Sequence, residues 1–131
     1  MQLPMTAEDV VIGIFSYMKK HQREKLTADR ETLHSAFYQA HEKFPRVMSL
    51  FSFRQRELFH ESNQLDQALS NLDATGIISR QNLTPKYYQL EDSLERSYNK
   101  FSKKILLDAG ISEDEIENVA LEIQPLVETD R

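Results

Sequence analysis

The chain has 131 residues, 40% of them hydrophobic and 28% charged, which excludes both a disordered polar chain and a membrane-spanning one. It has no cysteine and only three glycines, which removes disulfides, thiolate catalysis, cysteine-ligated zinc and most glycine-rich phosphate loops. The formal net charge of −5 is uneven: residues 112–131 carry −6 and residues 1–111 carry +1.

This length predicts one domain with a real core, because a chain of this size buries about 68–70% of its unfolded surface. Met1 to Thr6 lacks the pattern of a targeting segment. The apolar run Val10–Phe15 is six residues, far short of the roughly 20 that a bilayer needs. A cytoplasmic protein without a membrane partner is expected.

Thr6 reads as an N-cap, with Glu8 and Asp9 in the first turn. Val11, Ile14, Phe15 and Met18 then form a helical stripe over about residues 7–21. A short strand is expected near Leu26. Thr27 or Asp29 caps a second helix with the stripe Leu33, Ala36, Phe37, Ala40 and Phe44, and Pro45 ends it. In residues 45–61, Phe51 and Phe53 alternate with Ser52 and Arg54, which suggests a short strand; a single helical turn at 46–50 fits equally well.

Ser62 or Asn63 caps a third helix carrying Leu65, Ala68, Leu69 and Leu72 on one face, and Gly76 suits its C-terminal turn. Ile77 and Ile78 read as a buried strand, residues 79–85 as a polar turn, and Lys86 to Leu90 as the returning strand, with Tyr88 inward and Tyr87 outward. Leu94, Tyr98, Phe101 and Ile105 form the stripe of a fourth helix over about 91–108, closed by Gly110. Ser112 with Glu115 is a capping box for a last helix bearing Ile116, Val119, Ala120 and Ile123 and ended by Pro125. The fold class is therefore mainly α with a small antiparallel β-hairpin. Residues 1–111 make the body of the domain, and residues 112–131 are an acidic helix and tail of the same domain.

The segment Ser62–Leu90 resembles the core of a winged helix-turn-helix domain. Its helix Leu65-Asp66-Gln67-Ala68-Leu69-Ser70-Asn71-Leu72 runs into Gly76-Ile77-Ile78-Ser79-Arg80, then a polar turn and Tyr87-Tyr88-Gln89-Leu90. The resemblance covers about 30 residues by pattern and residues 7–44 by element order alone, and it implies a winged-helix-like domain of five helices. It implies no single family.

In such domains the third helix can enter a DNA major groove, where Arg, Lys, Asn and Gln read bases. Here that helix offers Asn63, Gln64, Gln67, Ser70 and Asn71, yet residues 62–79 hold Asp66 and Asp73 and no base. Only Arg80 and Lys86 lie at the wing. The gap between the second and third helices is also 17 residues, Pro45 to Glu61, where a helix-turn-helix has about 3–4. That insertion either adds a basic surface through Arg46, Arg54 and Arg56 or covers the groove-facing side.

Two functional readings follow. The first is a non-enzymatic regulatory module acting through protein–protein contacts, with a homodimer built on the helices at 91–108 and 113–123. The second is a DNA-binding transcriptional regulator. Under either, the contact residues are Arg46, Arg54, Arg56, Asn63, Gln64, Gln67, Asn71, Arg80 and Lys86. The chain has three basic clusters, Lys19, Lys20, Arg23 and Lys25, then Lys43, Arg46, Arg54 and Arg56, then Arg96, Lys100, Lys103 and Lys104, each otherwise read as a solvated face.

No nucleophile elbow, Walker loop or dinucleotide fingerprint is present, so no catalytic residues and no cofactor are expected. His34 and His41 share a helix face with Glu31 or Glu42 nearby, but their spacing of seven is not that of a metalloprotease helix, and no metal is assigned. His60-Glu61 is read in the same way.

Overall fold

The computed structural model describes residues 4–128. The fold is mainly helical with a small antiparallel sheet. Thr6 caps α1 (Ala7–Lys20): its hydroxyl accepts the Asp9 N–H, and the Asp9 carboxylate accepts the Thr6 N–H at 2.9 Å. The expected stripe is only part of what α1 buries. Every residue from Asp9 to Met18 is buried, because α1 packs against the helices at 63–74, 92–108 and 113–127 at once. A helix enclosed by neighbours buries all its faces, and Val10, Ile12 and Tyr17 join the core for that reason.

β1 (Lys25–Thr27) leads to α2 (Arg30–Lys43), capped by Asp29, whose carboxylate accepts the Thr32 N–H at 3.0 Å. The insertion then makes turns at 45–50 and a second, two-stranded sheet of β2 (Arg54–Gln55) and β3 (His60–Glu61). The strand expected from Phe51 thus begins three residues later, at Arg54. Phe51 drops into the core instead, its ring 5.9 Å from Phe37.

Ser62 caps α3 (Asn63–Ala74). Gly76, at φ +78°, lets the Ile77 N–H reach the Leu72 carbonyl at 3.0 Å and stop the helix. β4 (Ile78–Gln81) starts one residue after the expected Ile77 and runs into what the sequence pattern reads as turn. β5 (Tyr87–Leu90) returns between β4 and β1, giving the strand order β1-β5-β4. Leu26, Ile78, Tyr88 and Leu90 form the buried face of this sheet.

The fourth helix runs over 92–108 as α4 (Asp92–Ser97), a π turn (Tyr98–Ser102) and α5 (Lys103–Asp108). The wider turn moves the inward face to Leu94, Tyr98, Ser102 and Leu106. Phe101, expected in the stripe, is 55% exposed. The buried Ser102 hydroxyl donates to Asp9 at 2.8 Å, so the π turn satisfies the one carboxylate held inside α1.

α6 (Glu113–Val127) has the expected Ser112–Glu115 capping box but passes through Pro125. Val127 is fully buried and Glu128 bridges Leu26, so packing carries the helix two residues beyond the proline. The apolar stripes of 92–108 and α6 pack within this chain, against α1 and α2, while Phe101, Leu107, Leu121 and Leu126 on the same helices stay exposed. Among the described residues no helix is long and apolar enough to cross a membrane.

Gly13 marks the closest approach to α1. A Cβ there would lie 3.2 Å from both the Ile116 and Leu106 methyls. Gly13→Val is expected to lower stability by about 1–3 kcal/mol, read as the shift of a urea unfolding midpoint. An unchanged midpoint would show that α5 and α6 can retreat from α1.

Candidate functional site

The insertion docks on α2 through aromatic contacts. The Tyr38 and His60 rings stack 3.8 Å apart, and Phe53 meets Tyr38 at 5.5 Å and His41 at 5.2 Å. Phe59 lies 6.0 Å from His34, with the Arg30 guanidinium over its face. This packing brings Glu61 to the start of α3 with its side chain only 10% exposed.

Three arginines close around that carboxylate. Arg54 and Arg56 both donate to Oε1, and Arg30 donates to Oε2 at 3.0 Å. Arg30 also forks onto Asp66, through Nε at 3.1 Å and Nη2 at 2.6 Å. Asp66 in turn meets the fully buried ring of His34, whose Nε2 is 2.8 Å away. His34 Nδ1 accepts the Ser62 N–H at 3.0 Å, so the ring is neutral with its proton on Nε2, donated to Asp66. The hydrogen bonds from Arg56, Arg30 and Arg54 take the Glu61 carboxyl down to about 2. Burial lowers the His34 imidazole below its ordinary value. For Asp66, burial alone would raise the carboxyl, but Arg30 and His34 outweigh it and hold it low.

Asp66 is therefore not an outward charge on α3, as the sequence pattern suggests, but one side of an inward cluster. Sequence reasoning missed Arg30, Glu61 and His34 as a unit. Arg30 lies 31 residues from Glu61 and 36 from Asp66, separations that follow no local period.

The expected contact residues separate into groups. Arg54 and Arg56 turn to Glu61. Arg46 leaves the insertion for α6, pairing with Glu115 and donating to the Gly110 carbonyl at 2.9 Å. Gln64 accepts from Ser52 and Ser62, and so ties the insertion to α3. Gln67 donates to Asn71, which donates to Glu8 of α1; Gln67, Asn63 and Glu8 border a shallow hollow at the α1 N-terminus. Arg80 and Lys86 lie at the β4–β5 hairpin, both exposed.

Beside the cluster lies a cleft of about 290 Å³ between α2, α3 and the sheet. Arg30, Asp66, Asp73 and Arg80 supply its charges, Ser70 and Tyr88 its hydroxyls, and Leu33 and Leu69 its apolar floor. Elsewhere, His41 Nδ1 is buried without a hydrogen-bond partner. Among the described residues no group of three or more His, Asp or Glu is placed to hold a metal ion.

The cluster makes stability acid-sensitive in two stages. His34 and Glu61 both bind protons more weakly in the folded state, so the unfolded chain takes up protons first as pH falls. Stability present above 6.5 is lost through His34 as pH drops below that value, and more is lost through Glu61 between 4.5 and about 2. The urea midpoint is expected to fall in both ranges. His34→Gln, which keeps an acceptor for Ser62 and a donor for Asp66, should flatten the upper range. Glu61→Gln should lower stability near neutral pH, because it leaves three arginines without their shared counter-charge, and should flatten the lower range. A wild-type midpoint that stays level on acidification below 6.5 would contradict the His34 assignment.

Comparison with known proteins finds no matching family model, no matching curated protein and no matching solved structure.

Proposed function

We propose that this chain is a non-enzymatic regulatory module on a winged-helix-like scaffold that acts through protein–protein contacts. The scaffold reading is supported by the element order α1-β1-α2-α3-β4-β5 around the insertion and by the strand order β1-β5-β4. The observation that carries the protein-contact reading is the fate of the basic side chains. Of the twelve in the three sequence clusters, eight sit in ion pairs within the chain. Four of these pairs bind the acidic C-terminal segment: Arg23–Glu128, Lys43–Glu122, Arg46–Glu115 and Lys103–Glu113.

Each exposed pair contributes only about 0–1 kcal/mol, so a phosphate could outbid any one of them. What it could not remove is the partner carboxylate, which would then lie beside the phosphate. The same holds at α3, where Asn71 donates to the Glu8 carboxylate and Asp73 is exposed. A duplex therefore meets mixed charge at each basic cluster, and the counter-ion release that drives non-specific binding is small.

The two hairpins supply contact points of another kind. Leu58, in the β2–β3 turn, is 79% exposed, and Leu83, in the β4–β5 turn, is 68% exposed. Both lie at tips and away from the core, where a large apolar side chain adds nothing to folding and is available to a partner surface.

Two measurements test the proposal. Fluorescence anisotropy with random-sequence duplex at low salt is expected to show no saturable binding; binding that weakens steeply with added salt would establish the DNA-binding reading instead. A photo-crosslinker placed at 58 or 83 in the source cells is expected to trap one discrete protein, while the same group at the paired Lys104 traps none. Equal trapping at all three sites would count against the hairpin tips.

A further inference from the structure

The cleft between α2, α3 and β4–β5 holds opposite charges that stay apart. Asp73 Oδ1 accepts the backbone N–H of Arg80 at 3.1 Å, which anchors the carboxylate at the base of that arginine. The Arg80 guanidinium nevertheless makes no ion pair among the described residues. Arg80 pairs across the strands with Tyr88 and stands two residues from Ile78. Its side chain therefore leaves the sheet on the face that carries Ile78 and Tyr88, toward the cleft. The carboxylate and the guanidinium are thus separated by no more than one arginine side chain.

The remaining polar groups narrow the choice of ligand. At the other end of the cleft, Arg30 and Asp66 are closed on each other, so they offer a neutral wall. Ser70 lies three residues before Asp73 on the same face of α3, and its hydroxyl lines the cleft beside that carboxylate. Two arginines and two aspartates cancel in formal charge. A simple anion brought to Arg80 would face Asp73, and a simple cation brought to Asp73 would face Arg80. A molecule carrying both charges a few ångströms apart meets each with its opposite. At about 290 Å³ the cleft is at the small end of ligand sites, which span roughly 300–1,000 Å³.

We propose that this cleft binds a small zwitterion of the α-amino-acid class, with its carboxylate on Arg80, its ammonium on Asp73 and its side chain against Leu69 and the Tyr88 ring. Such a ligand would bridge the β4–β5 hairpin to α3. The proposal does not depend on the protein-contact reading, since a ligand can fill the cleft whether or not the hairpin tips meet a partner.

The test uses the full chain, with thermal unfolding and titration calorimetry. The probes are the common α-amino acids, taken one at a time, each with its N-acetyl and its carboxamide counterpart. At least one free amino acid is expected to raise Tm by several degrees at saturation and to give a saturable heat. Both of its single-charge counterparts should bind at least about tenfold more weakly, because each leaves one charge of the cleft unmet. Arg80→Gln and Asp73→Asn should each weaken the free amino acid by at least about tenfold. Lys86→Gln, on the same hairpin but outside the cleft, should leave binding unchanged. Asparagine at 73 keeps an oxygen for the Arg80 N–H, and the Tm of each unliganded variant verifies that the fold is intact. The proposal is overturned by any one of three results: no amino acid binds, the single-charge counterparts bind as tightly, or Arg80→Gln leaves the affinity unchanged.

Discussion

Helix α1 has no face for water. From Asp9 to Met18 ten consecutive residues are buried, and the chain must supply cover on every side of them. α3 covers one side, the helix at 92–108 another and α6 a third, while β1 follows directly from its C-terminal turn. Burying one large apolar side chain contributes roughly 1.5–3 kcal/mol, and α1 buries seven such residues from Val10 to Met18. That concentration explains why the C-terminal helices are part of the domain and not an appendage. Without α6, Gly13 and Tyr17 would lose neighbours on a helix that has no polar face to turn outward. The one charge inside this segment, Asp9, is tolerated because the N-cap and Ser102 together occupy both of its oxygens.

The charge pattern of the chain follows the same geometry. Read along the sequence, an acidic end follows a nearly neutral body. Folded, the acids of α6 and Glu128 lie against bases of the turn after α1, of α2, of the insertion and of α5, so the asymmetry is internal. Individually these pairs are weak. Their collective effect is on what the surface offers to others: a segment that looks like an acidic tail for a basic partner, and basic clusters that look like phosphate readers, spend their charge on each other. The Glu61 cluster differs in kind, because its carboxylate is mostly withdrawn from solvent and three guanidiniums share it, a geometry in which each hydrogen bond is charge-assisted.

Most of the architecture was legible in the residues because it rests on local rules. Ser112 with Glu115, Gly76 with positive φ, and the alternation in Tyr87–Leu90 each specify a cap, a stop or a strand from a few neighbouring positions. The departures share one cause, which is contact with residues far along the chain. Pro125 stays inside a helix because Val127 has a place in the core. Phe101 turns outward because Asp9 draws Ser102 inward through a π turn. Phe51 leaves its strand because Phe37 lies beneath it. The candidate site was the least legible for the same reason. Arg54, Arg56 and Arg80 stand out as bases, but nothing in their spacing says that two of them serve Glu61 and the third faces Asp73.

Arg30 connects the parts that remain. It is the first residue of α2, and one guanidinium reaches Glu61 on β3 and Asp66 on α3 while its flank lines the cleft. The β2–β3 hairpin, with Leu58 at its tip, is held to the helices by this arginine and by the aromatic stack of Tyr38 and His60. The β4–β5 hairpin, with Leu83 at its tip, reaches the same cleft through Arg80 and Tyr88. Each hairpin thus has one end in a polar cluster fixed by α2 and α3 and the other in solvent. Coupling between a ligand and a partner needs a shared element whose position both can bias. Arg30 is shared by the β2–β3 hairpin and the cleft, and Arg80 by the β4–β5 hairpin and the cleft. A molecule seated between them contacts the supports of both tips without touching either tip.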